Sequence, residues 1–300
     1  MDKLRAMQAF VRIVDEGSLT AAANALGTSL PSVVRTLAEL EASVGCRLLN
    51  RTTRRQALTE EGRHYLERSR RVLADIDDLE ASLADQAIEP RGRLNITAPV
   101  LLGQMLVAPA TRRFVQCHDK VQCNLMLTDQ IVNLVEDQID VGVRIDHLQD
   151  STLVSQAIGT VRRVVVASPA YVAQHGAPRH PKDLLQADCV SAGRPWLFRE
   201  GAHEFKLTVQ GKLSFNVGPP AIEACVEGAG FGMFLSYQVA PFLATRQLCV
   251  VLEPFERAPM PVNIVYPQAR LLPWRTRLFI DWIRADVGGA LRSREPPQLR

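Results

Sequence analysis

Long apolar runs are absent from this chain of 300 residues. No stretch approaches the roughly 18 apolar residues that a membrane-spanning helix requires, and the opening segment MDKLRAMQAF lacks the apolar core of a secretory signal peptide. The six cysteines show no CxxC spacing, which argues against a zinc site or a disulfide framework and favours reduced thiols. We therefore expect a cytoplasmic protein with no metal site and no membrane association.

Motifs of common catalytic and nucleotide-binding sites are also lacking. The chain contains no GxSxG nucleophile elbow, no HExxH zinc motif and no GxxxxGK[ST] phosphate loop. The stretch GAGFG at residues 228–232 follows a predicted helix, whereas a dinucleotide-binding loop follows a strand. We interpret that stretch as a turn, and we predict that the chain is not an enzyme and carries no cofactor.

Charge is nearly balanced over the whole chain, which has a net charge of +3. Positive charge is nevertheless concentrated in residues 47–71, where the acidic residues are Glu60, Glu61 and Glu67. The arginines of this segment are Arg47, Arg51, Arg54, Arg55, Arg63, Arg68, Arg70 and Arg71. Such a local excess indicates an anionic partner, of which nucleic acid is the usual one.

A helix-turn-helix pattern lies just before this basic segment. The alanine-rich residues 20–26 favour a helix, and Gly27 suits the left-handed conformation that ends one. Ser29 is placed to cap a second helix, whose first turn tolerates Pro31. Four apolar residues of this helix recur at one-turn spacing and share a face, namely Val33, Leu37, Leu40 and Val44. Two helices joined by so tight a turn are typical of a helix-turn-helix.

The opposite face of the second helix and the loop after it are candidate DNA contacts. A guanidinium and hydroxyl groups near a helix N-terminus can contact base edges in a major groove. An arginine- and threonine-rich turn between two short apolar pieces is typical of a β-wing that contacts phosphates or a minor groove. The alternative is an ordinary pair of helices with a solvated polar face. The predicted DNA-binding residues are Ser29, Pro31, Ser32, Arg35, Arg51, Thr52, Thr53 and Arg54.

The order of these pieces resembles a known family. A short helix, then GSLTAAANALGTSLPSVVRTLAELEASVGCRLLNRTTR, then LTEEG is similar to the winged helix-turn-helix of LysR-type transcriptional regulators. The resemblance is close over residues 4–62 and continues more loosely over nearly the full length. It implies a recognition helix that starts at Ser29 and a wing arginine at Arg51. Where the family often carries a second serine this chain has Val34, a departure that bears on base preference.

The next segment has the pattern of a long, exposed helix. Thr59 is a suitable cap, and Glu60 and Glu61 favour the positive end of a helix dipole. A narrow apolar stripe then follows at Leu66, Leu73, Ile76, Leu79 and Leu83. Such a stripe suits a coiled-coil-like seam, and the simplest partner is the same helix of a second copy. The alternative is a helix packed on its own C-terminal domain.

Beyond residue 90 predicted strands and helices alternate, which indicates an α/β domain with mostly parallel sheets. The pattern includes a helix near residues 131–137 and allows one large sheet. The family resemblance instead implies a two-lobed, periplasmic-binding-protein-like effector domain. The predicted boundaries are a winged helix-turn-helix at 1–58, a dimerisation linker helix at 59–89 and an effector domain at 90–300. Lobe I would hold about 90–161 and 267–300 and lobe II about 162–266, with crossovers near 160–162 and 266–268.

Ligands of open α/β sheets bind beyond the carboxyl ends of the strands, where helix N-termini offer free N–H groups. The predicted effector-binding residues are Thr97, Ala98, Val100, Thr128, Arg144, Trp196, Gly218 and Pro219. The resemblance places Thr97 where a hydroxyl often meets an effector, frequently a small carboxylate. Other roles remain open, because Thr97 could cap its helix, Arg144 could tie the sheet edge to a loop aspartate, and Trp196 could be packing.

The sequence thus favours a ligand-responsive, sequence-specific DNA-binding regulator of transcription. Its expected partners are double-stranded DNA, a small-molecule effector and further copies of itself in a dimer or tetramer, with RNA polymerase as an additional candidate. The alternative is an enzyme or a solute-binding protein with an incidental helix-turn-helix.

Overall fold

A computed structural model describes residues 2–51, 56–83, 89–146, 153–191, 195–268 and 272–293. The chain forms two compact units. Unit 1 comprises Met1–Arg93 with Pro273–Arg275, and unit 2 comprises Leu94–Leu272 with Thr276–Arg300.

Unit 1 is a helical domain with a small two-stranded wing. Its elements are α1 (Lys3–Asp15), α2 (Leu19–Ala25), α3 (Leu30–Val44), β1 (Leu49–Arg51), β2 (Gln56–Leu58) and α4 (Glu60–Leu83). The side chains of Asp2, Ser18 and Ser29 cap the first three helices by accepting backbone N–H groups. Gly27 and Gly45 follow α2 and α3 with φ of 61° and 74°, as expected of residues that end helices.

The start of α4 packs on its own unit. Leu66 is buried in the same hydrophobic cluster as Phe10, and the rings of Phe10 and Tyr65 lie 5.7 Å apart. Arg70 of α4 also forms an ion pair with Asp15 of α1. The prediction that Leu66 belongs to a seam for a second copy is therefore wrong, because spacing along a helix does not distinguish an internal partner from an external one.

The rest of the predicted stripe lies further along α4. Leu73 and Ile76 are half-buried, and Val72 beside them is exposed. The side chains of Leu79 and Leu83 lie outside the described residues.

Unit 2 contains two separate five-stranded sheets, so the two-lobed architecture is confirmed and a single large sheet is excluded. The sheet of lobe I has the order β4-β3-β5-β14-β6. The strands are β3 (Gly92–Ala98), β4 (Val121–Leu127), β5 (Val141–Ile145), β6 (Leu153–Val161) and β14 (Met260–Pro267). The helical segments of lobe I are α5 (Val100–Leu102), a π-helical turn (Gly103–Val107), α6 (Ala108–Cys117) and α10 (Trp274–Ser293).

The sheet of lobe II has the order β11-β8-β12-β7-β13, beside a β9–β10 hairpin. The strands are β7 (Arg163–Ala167), β8 (Cys189–Ser191), β9 (Trp196–Glu200), β10 (His203–Leu207), β11 (Leu213–Ser214), β12 (Phe231–Leu235) and β13 (Cys249–Val251). The helices are α7 (Pro169–His175), α8 (Gly218–Val226) and α9 (Ser236–Ala244), with 3-10 turns at Pro181–Gln186 and Glu253–Phe255.

Both sheets are mixed, so the prediction of mostly parallel sheets is wrong. In lobe I β3 and β5 are parallel, but β14 runs antiparallel to β5 and β6. In lobe II β11, β8 and β12 are parallel, whereas β7 runs antiparallel to β12 and β13. Strand direction depends on pairing between distant segments, which an alternation of strands and helices does not reveal.

The bounds of the strands, and the sheet to which each belongs, locate the two connections between the lobes. The chain leaves lobe I after β6 and enters β7 at Arg163, so Arg162 is the first connection. Because β14 belongs to the sheet of lobe I, the second connection is residues 256–259. The predicted crossover near 266–268 and the assignment of 260–266 to lobe II are therefore wrong.

Two local predictions also fail. Residues 131–133 are irregular and residues 134–138 form a turn, so no helix is present there. Asn133 accepts the backbone N–H of Val135, and Asp137 accepts that of Asn133. Such short side-chain bonds compete with helix formation. The glycine-rich stretch at 228–232 is a turn only at its start, since Phe231 and Gly232 already belong to β12.

Two cysteines of lobe II are buried, and burial raises the pKa of Cys189 and of Cys225 to about 12. A thiol with such a pKa is about one part in 10,000 thiolate at pH 8, and thiolate is the reactive form. We expect iodoacetamide at pH 8 to modify the exposed Cys117 while Cys189 and Cys225 stay unmodified until the protein unfolds. Peptide mass spectrometry measures this, and equal labelling of all three in the folded protein would contradict it.

Candidate functional site

The second helix of the helix-turn-helix, α3, has one buried face and one exposed face. Ser29 begins it, with Oγ accepting the N–H of Ser32 at 3.4 Å, as predicted. Val33, Leu37 and Leu40 are at most 2% exposed and pack in the core of unit 1. Val44, which was predicted to share that face, is 36% exposed.

The opposite face of α3 is largely exposed. Ser29, Pro31 and Arg35 are exposed, whereas Ser32 is half-buried. The sequence did not indicate that Leu30 would be 41% exposed beside them. The first turns of α3 thus present hydroxyl, apolar and cationic groups together, the combination that contacts base edges in a major groove.

The wing after α3 is fixed at its base. β1 and β2 pair antiparallel, with Leu49 opposite Leu58 and Arg51 opposite Gln56. Glu41 of α3 accepts the backbone N–H groups of Leu48 and Leu49 at 2.8 and 3.1 Å. The predicted contacts Thr52, Thr53 and Arg54 at its tip lie outside the described residues, as does the side chain of Arg51.

A second set of contacts joins the wing to α4. Thr59 Oγ1 donates to the carbonyl of Arg47 at 2.7 Å and accepts the N–H of Gly62 at 2.8 Å, so it caps α4 as predicted. Gly62 packs directly on the backbone, because a Cβ added there would lie 2.0 Å from the carbonyl oxygen of Leu48. The wing therefore takes its position from both α3 and α4.

In lobe I two of the predicted effector residues, Arg144 and Thr97, are in contact. The guanidinium of Arg144 donates to Thr97 Oγ1 at 3.2 Å and to its own neighbour's carbonyl, that of Val143, at 2.9 Å. Burial lowers the pKa of Arg144, and the nearby carboxylate of Asp129 partly opposes that shift. The site therefore holds a partly desolvated positive charge.

The helix that follows Thr97 takes its cap from a loop aspartate. Asp129, and not Thr97, accepts the N–H of Val100 at the start of α5, at 3.0 Å. Thr97 is fully buried and accepts from Arg144 instead. The backbone N–H of Thr128 donates to the carbonyl of the fully buried Ala98 at 2.9 Å. This bond joins the residue after β4 to the last residue of β3.

In lobe II Trp196 and Gly218 line a cavity of about 200 Å³. Arg163, Asn216 and Gln238 supply polar groups to it, and the other lining residues are mostly apolar. Trp196 is 5% exposed and also belongs to a hydrophobic cluster of lobe II, so it both packs and lines the cavity. Pro219 is in the first turn of α8 and is not among the lining residues.

The two lobes meet beside this cavity. A Cβ added at Gly218 would lie 2.7 Å from Leu101 Cδ1, across the cleft. Tyr237, at the start of α9, is buried in the hydrophobic core of lobe I, and burial raises its pKa to about 12. Gln238 donates to the hydroxyl of Tyr237 at 3.3 Å and also lines the cavity. Gln238 therefore joins the lobe II cavity to Tyr237, the α9 residue that packs in the core of lobe I, although none of the predicted lobe I residues lines that cavity.

Sequence reasoning missed Tyr237 and Gln238 because it missed the strand that positions them. Both lie in the first turn of α9, which follows β12, and the first two residues of β12 were interpreted as part of a glycine-rich turn. The apolar run FGMFL after that turn was the available signal.

Comparisons with known proteins agree with this geometry. Residues 4–63 match the model of the bacterial regulatory helix-turn-helix protein, lysR family, and residues 87–288 match the LysR substrate binding domain. The chain belongs to the LysR family of transcriptional regulators. It accordingly combines a DNA-binding helix-turn-helix with an effector-binding domain, and this pairing argues against an incidental helix-turn-helix.

Individual members of the LysR family resemble the chain over nearly its whole length. An HTH-type transcriptional repressor of Pseudomonas aeruginosa (strain UCBPP-PA14) is 35% identical over 290 residues, which cover 94% of this chain and 92% of the relative. The structure of CrgA, a LysR-type regulator from Neisseria meningitidis, is similar with a TM-score of 0.61 and 27% identity over 95% of this chain and 98% of that chain. Full-length AphB, a virulence activator of Vibrio cholerae, gives 0.60 and 26% over 94% and 98%.

Among the described helices none is long and apolar enough to cross a membrane. Within the same residues no group of three or more His, Cys, Asp or Glu side chains is arranged to hold a metal ion.

Proposed function

We propose that this LysR-family protein is a homo-oligomeric, ligand-responsive repressor or activator that binds specific DNA sequences. The observation that carries the proposal is the exposed N-terminal face of α3, with Arg35 on it, beside a wing in a strongly basic segment. The proposed DNA contacts are Ser29, Pro31, Ser32 and Arg35 of α3 and Arg51, Thr52, Thr53 and Arg54 of the wing. Arg35 would bind a base, and the wing arginines would bind phosphates.

The proposed effector is a small anion, such as a carboxylate, held between the lobes. A partly buried guanidinium at Arg144 favours a negative group, and Trp196 and Gly218 line a cavity of about 200 Å³ beside the place where the lobes meet. The proposed contacts are Thr97, Ala98, Val100, Thr128, Arg144, Trp196, Gly218 and Pro219, to which the geometry adds Gln238. A ligand that binds one arrangement of the lobes better than another shifts the population toward that arrangement.

Self-association would join α4 to the same helix of a second copy. Its half-buried Leu73 and Ile76 and exposed Val72 lie beyond the part that packs on unit 1. Two recognition helices on one symmetric site multiply weak half-site affinities. We further propose that the protein acts in the cytoplasm, that it is not an enzyme, and that RNA polymerase is a partner of the DNA-bound form.

Fluorescence anisotropy tests this function with two labelled duplexes, the region upstream of the protein's own coding sequence and a shuffled duplex of the same composition. We expect tighter binding to the first, and affinity for both should fall as salt rises. Adding a panel of small carboxylates should change the affinity or the stoichiometry for the upstream region. Failure to bind any duplex at low ionic strength would refute DNA binding, whereas an unchanged response to every carboxylate would refute the effector class alone.

A further inference from the structure

The two connections between the lobes lie side by side. Where they join lobe I, Met260 pairs with Val161 in the antiparallel ladder of β14 and β6. In lobe II, Val251 pairs with Val165 on the neighbouring strands β13 and β7. Any rotation of one lobe against the other is therefore taken up at Arg162 and at residues 256–259.

An ion pair joins these two connections. Arg162 Nη1 donates to Glu256 Oε2 at 2.9 Å, and each side chain is only 11% exposed. The backbone of Arg162 is held as well, because its N–H donates to Ser236 Oγ at 3.1 Å and its carbonyl accepts the N–H of Ser236 at 2.8 Å. One residue of the first connection is thus bound both to the second connection and to the start of α9.

The ion pair is not expected to contribute much to the free energy of folding. Glu256 Oε1 is buried and accepts no hydrogen bond from the described residues. Burial raises the pKa of Glu256, the neighbouring Glu253 adds to the rise, and the attraction of Arg162 does not cancel it. The ionised carboxylate is therefore costly at this place, and buried ion pairs of this kind are often no more stabilising than an apolar pair of similar size.

A different role follows from where the two residues lie. A bond between two connections makes them bend together, whereas two unlinked connections can twist independently. We propose that the Arg162–Glu256 ion pair is a hinge latch that couples the two interlobe connections and limits how the lobes rotate. The latch acts within one chain and depends on neither the identity of the effector nor that of the operator.

Hydrogen exchange of the full-length protein, followed by mass spectrometry, tests the latch without DNA or ligand. Glu256→Gln leaves the side chain's shape but removes its charge. We expect exchange in peptides covering 158–165 and 253–261 to rise about ten-fold, because the amides of the hinge open more often. Peptides from the centres of both sheets should exchange at the wild-type rate. Unchanged exchange at the hinge, or an equal rise throughout unit 2, would overturn the proposal.

Glu204→Gln is the matched control. Glu204 of β10 pairs with Arg257, the residue next to Glu256, at 2.7 Å, but this pair is more exposed and its carboxylate lies in lobe II, away from Arg162. The same chemical change there should leave exchange at residues 158–165 unaltered. If exchange at residues 158–165 rose as much in Glu204→Gln as in Glu256→Gln, the loss of either ion pair on the second connection would loosen the first. That result would overturn the latch.

The double variant Arg162→Met with Glu256→Leu keeps the proposal testable if Glu256→Gln does not fold. It replaces both charges with apolar side chains of similar length, so its melting temperature should equal or exceed that of the wild type. Exchange at the two hinge segments should still be raised, because the directional bond is gone. If the hinge of this folded variant exchanged at the wild-type rate, the two residues would matter only through their packing, and the latch would be refuted.

Discussion

Replacing Gly62 with alanine is expected to unfold the wing or displace it, although the same change at an ordinary helical position stabilises a protein. Alanine favours a helix over glycine by about 1 kcal/mol. In this protein the new Cβ would lie 2.0 Å from the carbonyl oxygen of Leu48 and 2.9 Å from its carbonyl carbon. Both are backbone atoms, so no side-chain rotation relieves the clash, and overpacking of this kind costs about 1–3 kcal/mol or more.

Gly289→Ala is the control for Gly62→Ala. Gly289 is also helical, in α10, but no atom of the described residues beyond its own stretch of helix backbone lies within 4 Å of an added Cβ. We expect Gly289→Ala to leave the unfolding midpoint unchanged or to raise it, and Gly62→Ala to lower it and to weaken DNA binding at every salt concentration. Wild-type stability together with wild-type affinity in Gly62→Ala would show that the contact between α4 and the wing base is not needed.

Replacing Arg35 with alanine is expected to weaken binding to the preferred duplex by about 1–3 kcal/mol, the usual value of a bidentate contact to a base. Arg35 is exposed on the face of α3 opposite Val33, Leu37 and Leu40, so its removal disturbs no core contact. Because a base contact is lost, binding to random DNA should change little. The two affinities are measured on the tightest genomic fragment selected by the wild-type protein and on a shuffled copy of it.

Arg112→Ala provides the same change in net charge outside the helix-turn-helix. Arg112 is an exposed residue of α6 in lobe I. Its replacement should leave both affinities within about two-fold of the wild type, since well-separated surface charges are screened at ordinary salt. Equal losses on the preferred and shuffled duplexes in Arg35→Ala would instead assign Arg35 to the phosphate backbone.

The helix-turn-helix was predictable from sequence because its determinants are local. Ser29 and Gly27 fix the two ends of the turn through their own side chain or backbone, and the buried face of α3 follows from spacing within one helix. The same holds for Thr59, whose cap on α4 needs only the next three residues.

Features of unit 2 that depend on distant residues could not be predicted in this way. β14 belongs to lobe I because it pairs with β5 and β6, which lie about a hundred residues or more earlier in the chain. The helix predicted near 131–137 failed because Asn133 and Asp137 bind nearby backbone groups. Thr97 and Arg144 could be predicted because they lie at strand ends. That Gln238 lines the cavity could not, because its position depends on how α9 packs against the other lobe.

Helix α9 restricts how any signal passes through the effector domain. Tyr237 is buried in the core of lobe I, whereas Val239, two residues later, is buried in that of lobe II. A wide clamshell opening would pull an aromatic ring out of one core into water, a loss of roughly 1.5–3 kcal/mol. The anchoring of α9 in both cores therefore disfavours a wide opening relative to small tilts or slides of the lobes, which leave Tyr237 buried.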